Sequence, residues 1–147
     1  MRTVTSFLIC LIFTFSSSCG QSIKNNSAEK EAEKMLKDFY TNYFSAFVEP
    51  PGALSQKKLD LIQKQFCTKA FYKKIPEIIE QTDSDVFLKA QDSDIKYLKT
   101  LTISKDLKNE EYIVSYIADA MPEKKITIII HLTLVKEGNS YKISAVR

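Results

Sequence analysis

Four aspartates stand in two Asp-Ser-Asp clusters, Asp83 and Asp85 before an apolar stretch and Asp92 and Asp94 after it. Carboxylate oxygens at that density suit a hard cation such as calcium. The spacing departs from the calcium loop built on alternate acidic positions, a glycine and a distant glutamate, because no glycine lies between Gly52 and Gly138. Turn-forming and helix-capping aspartates are the competing assignment, since an Asp side chain accepts readily from backbone N–H groups two or three residues on. Histidine is the side-chain type that titrates near neutrality, and the chain has one, His131, so a general base would be sought there. Its neighbours in a period-two pattern, Thr127 and Thr133, suggest the solvent side of a strand. Cys67 could act as a nucleophile beside an imidazole, but a cysteine following Phe66 on a helix reads more simply as a small buried hydrophobe.

Cys19 is the thiol with the most specific context. Arg2 is followed by an apolar run from Phe7 to Phe15, then Ser16 to Ser18, then Cys19-Gly20. That order has the charged, apolar and small-residue regions of a secretory signal. It resembles a bacterial lipoprotein signal, in which a diacylglyceryl group is attached to the cysteine and cleavage leaves it as the first residue. The usual pattern has Leu, Val or Ile where this chain has Ser16. An ordinary cleaved signal leaving a soluble protein is the alternative. The run is too short for a transmembrane helix, which needs about 20 apolar residues. The resemblance implies a lipid anchor on Cys19 in the bacterial cell envelope. With no aspartate after the cysteine and no acidic run in Gly20-Gln21-Ser22, the expected location is the outer membrane, facing the periplasm.

The elements that must position these residues fall in one domain. Residues 1–18 read as the signal peptide, 19–26 as the acylated cysteine and a polar tether, and 27–147 as a single domain of ordinary length. With Cys10 in the signal and Cys19 acylated, Cys67 has no disulfide partner, and with one histidine there is no Cys/His zinc cage. The charge balance, 21 basic against 18 acidic side chains, is nearly even and interspersed, which argues against a nucleic-acid partner. Ala32, Met35, Leu36, Phe39, Tyr40, Tyr43, Phe44 and Phe47 recur at spacings of three and four. They predict a long helix starting at an Asn26 or Ser27 cap, with a Glu33–Lys37 ion pair on its polar face, and ending at Pro50-Pro51-Gly52. Ser55 is the expected cap of a second helix, Thr68 of a third, and Pro76 fits the first turn of a further one. Beyond Asp83 the period changes to two, predicting strands at Ile95–Lys105, Tyr112–Ala120, Ile126–Lys136 and Tyr141–Val146. Short turns make neighbours antiparallel, so the expected fold class is α+β: N-terminal helices packed on a curved four-stranded antiparallel sheet.

A lipoprotein-type signal, a long aromatic helix, the segment Phe87-Leu88-Lys89-Ala90-Gln91-Asp92, and a closing strand at Tyr141-Lys142-Ile143 after Lys136-Glu137-Gly138 together resemble a family of small bacterial lipoproteins, domain-of-unknown-function 3828. This copy carries Val86 where the family pattern has proline and Tyr141 where related closing strands have tryptophan. The resemblance implies a nuclear-transport-factor-2-like, cystatin-like cone. It implies no activity and no cofactor, because that fold hosts enzymes and plain binding modules alike. Enzymes of this fold set an Asp or His against a tyrosine at the open end of the cone, and Tyr97, Tyr116, Asp119 and His131 are the candidate pocket by that analogy. The expected function is therefore a non-enzymatic, membrane-anchored module binding a small ligand or an envelope protein. An isomerase- or dehydratase-like enzyme and a periplasmic immunity or inhibitor protein are the alternatives.

Overall fold

The computed structural model describes residues 21–121 and 124–147, with side chains from Asn26 to Ala120 and from Lys124 onward. The expected signal peptide and Cys19 lie outside the described residues. The helical half comprises α1 (Gln21–Phe47), α2 (Ala53–Phe66), α3 (Lys69–Tyr72) and α4 (Ile75–Thr82). A 3-10 helix (Ile95–Thr100) leads into the strands β1 (Thr102–Asp106), β2 (Glu111–Met121), β3 (Lys124–Glu137) and β4 (Ser140–Val146). They form one antiparallel sheet in the order β1-β2-β3-β4, the meander that short connections dictate. The α+β class is as the sequence patterning requires.

The aromatic stripe of α1 is the core. Leu36, Phe39, Tyr40, Tyr43 and Phe44 are fully buried, and Phe39 packs edge-on against Tyr40, Phe66 and Phe87 at centroid distances of 4.9 to 5.5 Å. On the sheet side, Val114 and Tyr116 of β2, Ile130 and Leu132 of β3 and Ile143 of β4 meet that stripe. Strand alternation sends Ile117, Ile129 and His131 to the opposite face, where Ile129 is 55% exposed. Ile126, on the same face of the strand as Ile130 and Leu132, is exposed near the start of β3.

Several local expectations are corrected. α1 starts at Gln21, so residues 21–26 are helical and neither Asn26 nor Ser27 caps it. No proline or glycine interrupts 21–26, and a helix fixed by packing further on propagates through Asn and Ser at little cost per residue. Lys34 and Asp38, 2.9 Å apart, form the ion pair expected of Glu33 and Lys37. Gly52 takes the cap position of α2, and Ser55, three residues in, accepts from the Gly52 N–H. Thr68 does cap α3, accepting from Phe71 N–H, and Pro76 lies in the first turn of α4.

The largest correction is at Ile95–Lys105. Its first half is the 3-10 helix, and only Thr102–Asp106 pairs with β2. Asp94 caps the helix by accepting from Lys96 N–H. The half of β2 that β1 leaves uncovered is completed by side chains: Ile117 N–H donates to Thr100 Oγ1 at 2.9 Å and Asp119 N–H to the Tyr97 hydroxyl at 3.2 Å. Two hydroxyls thus stand where a strand would offer carbonyls.

Candidate functional site

Between the C-terminal end of α1, α2, α4 and the segment 83–91 lies a cleft of about 420 Å³. Tyr43 and Phe47 enter it from α1, Leu59 and Gln63 from α2, Ile79 from α4, and Asp85 and Gln91 from the connecting segment. Its floor carries a relay of hydrogen bonds. Gln63 Nε2 donates to the Tyr43 hydroxyl at 3.1 Å, and that hydroxyl donates to Asp85 Oδ2 at 2.6 Å. Asp85 Oδ1 accepts from the N–H groups of Phe87 and Leu88, each at 2.9 Å.

The local sequence explains this geometry. α4 ends at Asp83 in the left-handed conformation, and Asp85 then folds the chain into a turn closed by Lys89 N–H on the Asp85 carbonyl. Val86, Phe87 and Leu88 are apolar and drop into the core, which carries the Asp85 carboxylate in behind them and beneath Tyr43.

Burial pushes the Asp85 carboxyl above its ordinary range, against the opposing pull of Tyr43 and the two backbone donors. The Tyr43 hydroxyl is raised well above its ordinary value by burial and then by the Asp85 charge. Tyr43 therefore keeps its proton and donates. A carboxylate has about four acceptor positions. Three are filled here, leaving Oδ2 able to take one more donor from the cleft.

The structure disperses the four aspartates. Asp83 accepts from Gln91 Nε2 at 2.9 Å, Asp85 closes its turn, Asp92 is exposed, and Asp94 caps the 3-10 helix. Among the described residues no group of three or more His, Cys, Asp and Glu side chains converges as a metal site would require. Of the candidate pocket, Tyr97 and Tyr116 do meet, their rings stacked at 5.9 Å, and Asp119 reaches Tyr97 through its backbone. Tyr97 arrives from the 3-10 helix, not from the neighbouring strand expected. The Tyr116 hydroxyl donates to the Leu88 carbonyl at 2.5 Å, and the Asp119 carboxylate is ion-paired with Lys96 at 2.8 Å. His131 lies on the other face of the sheet, 3.4 Å from Glu111 Oε2. Glu111 in turn is held by the Arg147 guanidinium through Nε at 2.9 Å and Nη2 at 2.5 Å. Cys67 is buried, and its thiol is pushed up to about 12 by that burial, so it is not a thiolate near neutrality.

Tyr43 and Gln63 were missed from the sequence. By spacing Tyr43 belongs to the apolar stripe of α1, and Gln63 is one of several polar residues on α2. The detectable signal was Asp85 alone, an aspartate placed before a short buried run.

Fold and cleft define a class: a small α+β domain whose helical layer opens a polar cleft beside a turn-forming aspartate. No family model matches the chain, and neither does a curated protein. Among solved structures it is similar to a crystal structure described as a protein of unknown function from Bacteroides thetaiotaomicron VPI-5482, at 29% identity and a TM-score of 0.76. The alignment covers 86% of this chain and 98% of the other.

Proposed function

We propose that this chain is a lipoprotein of the bacterial cell envelope, acylated at Cys19, whose domain acts by binding and not by catalysis. The ligand it would take in the Tyr43–Asp85 cleft is small and rich in hydrogen-bond donors, uncharged or cationic. The observation that carries the binding assignment is that both titratable groups on the cleft floor are committed. Asp85 already holds three donors, and Tyr43 is a protonated donor. What remains is one acceptor position, flanked by amides and an apolar wall, which suits recognition. The anchor is supported by Arg2, the apolar run and the Ser16-Ser17-Ser18-Cys19 order. Assignment to the lipoprotein family of unknown function, with its nuclear-transport-factor-2-like fold, belongs to the same proposal and is supported by helices on a four-stranded meander. An isomerase or dehydratase is disfavoured because Tyr116, Asp119 and His131 are each engaged elsewhere or on different faces of the sheet.

Two measurements test this. Labelled palmitate is expected to enter the wild-type chain and not Cys19→Ala, which should leave the membrane fraction; incorporation into both, or unchanged fractionation, rejects the anchor. Thermal-shift screening against monosaccharides and small amines is expected to raise the melting temperature of wild type for one class, with Gln63→Leu losing the response at unchanged circular dichroism. A response by neither class, or an equal response by Gln63→Leu, rejects the cleft as the binding site.

A further inference from the structure

Along the middle of α1, from Lys30 to Thr41, a second groove of about 590 Å³ runs between the polar face of that helix and the segment leading from the 3-10 helix into β1. Lys30, Lys34, Lys37 and Lys99 line it, and Leu98, Leu101 and Ile103 are half-buried residues within it. The three α1 lysines follow a spacing of four and three, one stripe of the helix, spread over about 10 Å of its length. Glu33 is the opposing charge in the groove. Lys34 also bonds Asp38 at 2.9 Å, on the outer side of the same stripe. Four lysines stand against Glu33 in the groove, with Asp38 offsetting Lys34. A second basic cluster, Lys64, Lys69, Lys73 and Lys142 against Glu137, lies on another face, and the groove on α1 is set apart from it by its place on the helix that follows the proposed anchor.

We infer that this groove docks on the headgroup of an anionic phospholipid in the membrane that carries the anchor. The inference rests on the proposed acylation of Cys19. Lysine ammonium groups around an apolar strip match a phosphate headgroup joined to the first part of an acyl chain, and clustered lysines near a membrane are attracted to anionic lipid. Chain geometry supports the same occupant. α1 begins at Gln21, so Lys30 lies about 14 Å along the helix from its start, and Cys19 is two residues before that. Docking brings α1 down along the bilayer surface. The Tyr43–Asp85 cleft, on the C-terminal end of the same helix, then sits at the far end from the anchor.

The mature protein, purified from membranes as the form acylated at Cys19, is reconstituted with vesicles of phosphatidylcholine alone or with phosphatidylglycerol added, floated, and probed by reductive methylation of lysines read by mass spectrometry. The expected result is flotation with both vesicles and slowing of methylation at Lys30, Lys34, Lys37 and Lys99 by about five-fold or more in the anionic vesicles only. Lys57 on α2 and Lys73 after α3 should keep the same rate in both. Salt of 0.5 M should remove the protection, because ionic screening then acts over a few ångströms. Soluble glycerol phosphate should not reproduce it, which separates a membrane from a free phosphate. A Lys37→Glu/Lys99→Glu variant, altered only at exposed positions, should float equally but show no lipid-dependent protection. Flotation with both vesicles without selective protection, or equal protection of Lys57 and Lys73, overturns the groove and leaves the anchor standing. Protection by glycerol phosphate alone also overturns it. Flotation with anionic vesicles only rejects the anchor and with it the inference, which rests on that anchor. Flotation with neither rejects both.

Discussion

Asp85 joins α1 to the segment that follows α4. Its two oxygens tie the Phe87 and Leu88 amides to α1 through Tyr43, and α1 to α2 through Gln63. Removing the carboxylate strands two sheltered backbone donors, each costing about 1 to 3 kcal/mol. Asp85→Ala should accordingly lower unfolding stability by about 2 to 4 kcal/mol in urea melts, and Asp85→Asn, which keeps one acceptor oxygen, by less. The pH dependence has a definite sign. With its folded pKa raised, Asp85 binds a proton more tightly in the native state than in the unfolded one. The stabilisation this gives is complete below the ordinary carboxylate value and is lost as pH rises through the raised value. The stability of wild type minus that of Asp85→Asn should therefore shrink as pH rises above the ordinary aspartate value of about 3.9. A difference that grows over this range would mean that the hydrogen bonds outweigh desolvation.

The 3-10 helix Ile95–Thr100 is the element whose form is decided by a neighbour. Alternating Ile95, Tyr97, Lys99 and Leu101 would serve a strand equally well by pattern. Asp94, which caps a helical turn, and the placement of Thr100 and Tyr97 over bare β2 amides favour the helix instead. Thr100→Val removes the acceptor of Ile117 N–H and should cost about 1 kcal/mol. Hydrogen exchange at Ile117 should quicken selectively, while amides in the β3–β4 ladder keep their wild-type protection. Uniform acceleration across the sheet would instead mean global destabilisation.

At the scale of the molecule, one aromatic stripe on α1 joins both layers. Phe39 touches helices and the 83–91 segment at once, so Phe39→Ala should lower stability by about 3 to 5 kcal/mol, as large-to-small changes in close-packed cores do. The Tyr40 hydroxyl is sealed among these rings with no hydrogen-bond partner among the described residues. Tyr40→Phe should therefore raise stability, by about 1 kcal/mol in denaturant melts. A loss on that substitution would show that the hydroxyl is satisfied in solution.

The amino-acid sequence by itself determined the order of helices and strands, the buried stripe of α1 and the expectation of a single α+β domain. These follow from periods of 3.6 and 2, which each segment carries locally whatever its neighbours do. It offered Asp85 only as one of four aspartates in two Asp-Ser-Asp clusters, as a cation ligand or a turn former. Tertiary structure alone decided that Tyr43 and Gln63 would converge on that carboxylate, that His131 would part from Tyr116, and that four lysines from two distant segments would share a groove. Those outcomes depend on which faces of separate elements come within a few ångströms of one another. Hydrogen bonds and desolvation act only at such distances, and contacts between residues far apart in the chain leave no periodic trace in it.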